Sequence, residues 1–184
     1  MKLTRLVLRV LIGGLFIGHG TQKLFGWFGG HGPSGTGGFF ESLGLKPGKR
    51  NAIAAGVAEA GGGALLASGV ALPVAGAAIT GTMTTAIRHV HAAKGPWTTQ
   101  GGWEYNAVLI AATLSIVEEE SGLGWALAAG AAGVAGSFAV SKLADEEHPQ
   151  AVEEFEPVPL QRPEEAETAV GRPTGGQTTE ITQT

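Results

Sequence analysis

Seven side chains in this sequence have the types and spacing to do chemistry together: His19, Lys23, Glu59, Arg88, His89, Glu104 and Asn106. Each lies within or at the edge of an apolar run. Two carboxylates and two cations balance in sign, and a histidine beside a carboxylate can accept and return protons near neutral pH. His19 and Lys23 are four apart and would share a helix face. A buried Glu59 needs a cation, and Arg88 or Lys23 is the natural partner. The same residues fit a proton- or ligand-handling site and a plain ion-pair network that fixes helix register.

His89-Val90-His91 has the look of a metal motif. Helix residues two apart point about 200° from each other, so both imidazoles do not easily grip one ion. A metal or haem shared between His19 and one of them is the less favoured alternative, and no metal site is assigned. The chain has no cysteine, which excludes a disulfide framework, a thiolate zinc site, a dithiol redox pair and a thiol nucleophile. The glycines at 29 to 38 neither follow a strand nor open a helix with dinucleotide spacing. Nucleic acid is not an expected partner, because the one basic cluster, Lys46 to Arg50, is short.

The elements that must hold these residues are five apolar segments: Leu3 to Phe28, Asn51 to Leu72, Pro73 to about His91, Trp103 to Val117, and Gly122 to Leu143. At about 1.5 Å per residue most can cross a hydrocarbon layer of about 30 Å. The stretch Gly29 to Arg50 is dense in glycine and proline and reads as a loop, and the Glu118-Glu119-Glu120 triplet bounds the fourth segment. A soluble bundle would show a polar helix face, and the fifth segment has none between Gly122 and Ser141 apart from Ser137. Small residues four apart, Gly56 with Ala60, Gly76 with Thr80, and Ala132 with Gly136, suit close helix crossings. The expected architecture is all-α: a transmembrane helical bundle over residues 1–144, with a four-helix core and a fifth helix.

Alternating passes put His19 roughly 10 Å and Glu59 roughly 12 Å from the same bundle end, with Arg88, His89, Glu104 and Asn106 close to that end. The opposite half holds little polarity besides Arg9 and Thr80. Residues 145–184 carry ten acids and two bases, a net of −8, against six acids and ten bases in residues 1–144, a net of +4; together they give the formal −4. The tail has too few apolar residues to fold and reads as a disordered solubilising or docking segment. Lys2, Arg5 and Arg9 favour a cytoplasmic start for the first helix, while Lys46, Lys49, Arg50 and Lys94 pull the other way; the first helix usually dominates.

On these residues the sequence resembles the DoxX family of small multi-pass membrane proteins. The resemblance rests on the stretch from Arg9 through His19-Gly20-Thr21-Gln22-Lys23, on Ala58-Glu59-Ala60-Gly61-Gly62, and on Glu104-Tyr105-Asn106, and covers roughly residues 4 to 120. It implies a four-helix membrane bundle in a bacterial plasma membrane, associated with a quinol oxidase, a thiosulfate–quinone oxidoreductase, or an assembly that handles oxidative and thiol stress. The leading expectation is an accessory subunit of such a respiratory or redox assembly, not catalytic alone, with the lipid bilayer and membrane or soluble redox proteins as partners. The second is a quinone- or lipid-binding oxidoreductase component whose polar cluster handles protons, with quinone as its cofactor. A small transporter is the third.

Overall fold

The computed structural model describes the backbone of residues 3–147 and the side chains of residues 3–144; the acidic tail from residue 148 onward lies outside the described residues. The described part is helical and falls within one compact unit, Met1–Pro149. Six helices follow one another: α1 (Leu3–Phe25), α2 (Gly32–Ser42), α3 (Gly48–Ser68), α4 (Leu72–Ala86), α5 (Glu104–Ser121) and α6 (Leu123–Glu147). A π-helical segment, Ile87–His91, extends α4. α1 packs along α3, α4 meets α3, α5 and α6, and α2 lies on α3. Two helices, α1 and α6 over Leu123–Ala144, are long and apolar enough to cross a membrane.

The pairing of α1 with α3 follows from glycine. A Cβ on Gly13 would press on the Gly63 carbonyl, and one on Gly20 would collide with Ala60 and the Gly56 carbonyl. Both helices therefore place glycines seven apart along one seam, and their backbones touch. The Gly56–Ala60 pair lies in this seam. The Ala132–Gly136 pair does not lie in a crossing: Gly136 has open space around it, and Gly133 instead packs against the Ala77 carbonyl and Thr80 of α4. The close approach is thus one residue away from the expected pair, with Ala129 buried one turn earlier.

Three boundaries differ from the sequence reading. The glycine-rich stretch contains α2, begun by Pro33 in its first turn. Its glycines serve a crossing: Gly37 faces the backbone of Lys49, and Gly48 faces the Gly37 carbonyl. Glu41 of α2 then accepts the Gly48 N–H at 3.1 Å, an acidic cap on the start of α3. The fourth segment does not stop at Glu118, because α5 runs to Ser121. Those glutamates have partners: Arg5 Nε lies 3.1 Å from Glu119, and Arg9 Nη1 lies 3.2 Å from Glu120. The third segment ends as the π segment and not as regular helix.

Arg9 organises the bundle end opposite the polar cluster. It is 4% exposed, and donates from Nε to Leu66 O at 3.1 Å and from Nη2 to Ala67 O at 3.2 Å. These are terminal carbonyls of α3, where a cation is favoured. Gly69, with φ +78°, ends α3 in the left-handed region, and any Cβ there would collide with the guanidinium.

Candidate functional site

A cavity of about 650 Å³ opens between the helices. Its walls are largely alanine, from Ala54, Ala55 and Ala58 of α3 to Ala77 and Ala78 of α4, closed on one side by Phe39 and Phe40 of α2. Small side chains on helices held apart by larger neighbours leave space, and this space lies beside the buried polar groups.

Of the seven expected site residues, five line it: His19, Lys23, Glu59, His89 and Asn106. Lys23 Nζ donates to Glu59 Oε2 at 2.5 Å, bridging α1 and α3. Glu59 is 4% exposed, so the lysine offsets a charge that would otherwise be costly to bury. Asn106 is buried, and its amide donates to the Met83 sulfur at 3.3 Å, a weak acceptor. His19 sits at the exposed edge. The Gln22 side chain donates to Phe28 O at 3.3 Å, which turns its oxygen toward His19 Nδ1 at 3.2 Å. His19 Nδ1 then carries the proton, and Nε2 is an acceptor in the neutral ring. His89 Nε2 pairs with the Ser141 hydroxyl of α6 at 3.0 Å.

Arg88 and Glu104 go elsewhere. Arg88 does not pair with Glu59. Its guanidinium donates to Ser137 O at 3.0 Å and to the Ser137 and Ser141 hydroxyls, and it lies 3.8 Å above the Phe138 ring, tying the π segment to α6. Ser137, the lone polar residue noted in the fifth segment, is the anchor point. Glu104 accepts the Thr98 N–H at 2.6 Å and organises the turn before α5.

Sequence reasoning missed Asn51, Thr82, His91 and Tyr105 in the lining. Asn51 Nδ2 is buried and makes no hydrogen bond. His91 donates from Nδ1 to Gly101 O at 2.6 Å, which again leaves Nε2 as the acceptor. The π segment explains how His91 joins His89 at the cavity wall: its wider turn shifts the register of the last residues, and such segments often occur at functional sites. The signal available was position alone, polar residues at the borders of apolar segments. Among the described residues no group of three or more histidines and carboxylates could hold a metal ion.

The arrangement offers hydrogen-bond donors, the two asparagine amides and the Tyr105 hydroxyl, to a ligand that presents oxygen. Glu59 and the imidazoles provide proton-accepting groups along the same cavity. Lys23 has its charge matched by Glu59, so the site is electrically balanced.

The DoxX family model matches residues 4–92, from the first turn of α1 past the π segment. The Glu104-Tyr105-Asn106 stretch lies beyond the matched residues. No curated protein and no solved structure matches the chain. The match takes in His19, Lys23, Glu59 and His89, four of the cavity-lining residues, and it is over residues 4–92 that the chain is similar to the DoxX family.

Proposed function

We propose that this protein is a five-span subunit of a redox assembly in a bacterial plasma membrane, and that it holds a quinone in the interhelical cavity. The match to the DoxX family model and two membrane-length apolar helices point to a membrane protein. Support for further spans comes from α3, α4 and α5, whose outer faces expose Ile53, Val57, Val74 and Val108. α3 has 21 residues and α5 has 18, about 31 and 27 Å of helix, close to the hydrocarbon thickness.

The cavity is the observation that carries the ligand reading. Its volume lies in the range of small-molecule sites, which are mostly apolar with a few polar groups that fix orientation. A quinone matches both parts, with two ring carbonyl oxygens for the amide donors and an isoprenoid tail for the alanine walls. A quinol oxidised there would release two electrons to a partner redox protein and two protons to groups such as Glu59 and the imidazoles. The balanced charge favours this neutral head over an anionic one.

The test is titration of the detergent-purified chain with a short-tailed quinone, followed by tryptophan fluorescence. Saturable quenching in the native chain is expected, with loss in Ala132→Phe, which fills the cavity from an exposed position on α6. Equal quenching in both, or none in either, would mean that the cavity does not hold a quinone.

A further inference from the structure

The two ends of the bundle hold their charges differently. Where α1 begins and α3 and α5 end, Arg5 and Arg9 are paired with Glu119 and Glu120, and Arg9 is buried on the α3 carbonyls. Glu118 stays exposed there. At the other end, Lys46 and Lys49 flank the turn from α2 to α3, and Lys94 follows the π segment. None of these three lysines forms an ion pair among the described residues. Among the described side chains, two nearby acids are engaged with backbone: Glu41 accepts the Gly48 N–H and Glu104 accepts the Thr98 N–H. Around the lysines stand exposed aromatic side chains, Trp27, Phe28, Phe39, Trp97 and Trp103.

We propose that this end of the bundle is a docking face for anionic lipid headgroups, which makes it the cytoplasmic end and puts the start of α1 on the opposite side. Unpaired lysines at a membrane surface attract anionic lipids, which are enriched in the cytoplasmic leaflet. Tryptophan and its aromatic neighbours favour the headgroup boundary. The acidic residues that follow α6 are the competing occupant. They would match the lysines but offer little apolar cover for the aromatic rings. The proposal reverses the orientation suggested by Lys2, Arg5 and Arg9, for a structural reason: Arg9 is an internal strut of the bundle and not a flanking charge, so the count of flanking cations favours the α2 end. It rests on the membrane-spanning reading and not on the quinone.

The chain has no cysteine, so single cysteines report their side of the membrane without background. In intact cells an impermeant maleimide should label Ser68→Cys and Glu118→Cys, and should label Ser42→Cys and Ala93→Cys only after permeabilisation. The reverse pattern, or labelling of all four in intact cells, overturns the proposal. In bilayers containing trace spin-labelled lipid, the full chain should restrict phosphatidylglycerol about fivefold more than phosphatidylcholine, the enrichment one surface lysine supplies. The Lys46→Glu/Lys49→Glu/Lys94→Glu variant should lose that preference. No preference in the native chain would mean that the acidic tail covers the lysines, and would overturn the lipid face. Release of the chain by alkaline carbonate would instead overturn the spanning reading itself.

Discussion

The Lys23–Glu59 pair sets the character of the cavity at the scale of single residues. Glu59 is 4% exposed, and the lysine side chain retains 21% of its surface. Breaking such a pair from one side leaves an uncompensated charge next to an apolar wall. Lys23→Met should therefore destabilise the protein by about 2–4 kcal/mol, since it strands the more buried carboxylate, and Glu59→Gln by about 1–3 kcal/mol. The double variant should cost less than the two single losses added together, with thermal unfolding in detergent as the measurement. Arg9 gives a second case. Arg9→Met removes hydrogen bonds to two α3 carbonyls as well as the Glu120 partner, whereas Glu120→Gln leaves the carbonyl contacts in place. The first should lower stability by about 2–4 kcal/mol and the second by less than about 1.5 kcal/mol in the same assay. That Glu59 would meet a cation was legible in the sequence, because depth along antiparallel segments narrows who can meet, but the choice between Lys23 and Arg88 was left open. The contacts of Arg88 and Glu104 were not legible, because their partners are serines and a main-chain N–H, and no charge pattern marks those.

Glycine governs the elements, and its meaning depends on what faces it. Gly20 lies in the α1–α3 crossing with no room for a Cβ, while Gly14, six residues earlier, has nothing within 4 Å. Gly20→Val should prevent the two helices from closing, at a cost above about 2 kcal/mol, while Gly14→Ala should change stability by less than about 1 kcal/mol. A melting comparison of the two variants checks both. This is also why the helix positions were read better than the connections. Long apolar runs announce α1, α3 and α6 directly. The density of glycine between residues 29 and 50 reads as loop by composition, yet Gly37 and Gly48 are there to let α2 lie against α3. Composition records that a glycine is present and not which backbone it meets. The π segment is likewise invisible to a pattern built on 3.6 residues per turn. It decides that His91 joins the cavity wall.

Across the whole molecule, one end of the bundle is closed by arginine–glutamate pairs and helix-end carbonyls, and the other half contains the cavity. Helix ends at the first hold the bundle together. Small side chains in the second leave space beside an ion pair and three imidazoles. With that division of labour, the role proposed for the polar cluster is to border a binding space and not merely to fix register. The most direct measurement is a cryo-electron density map of the protein purified in mild detergent from its own membrane. Elongated density is expected in the cavity, with its polar head near Asn51, Asn106 or Glu59 and its tail along the alanine wall of α3 and α4. A cavity collapsed by inward movement of α2, with Glu59 and its neighbours bonded only to one another, would contradict it.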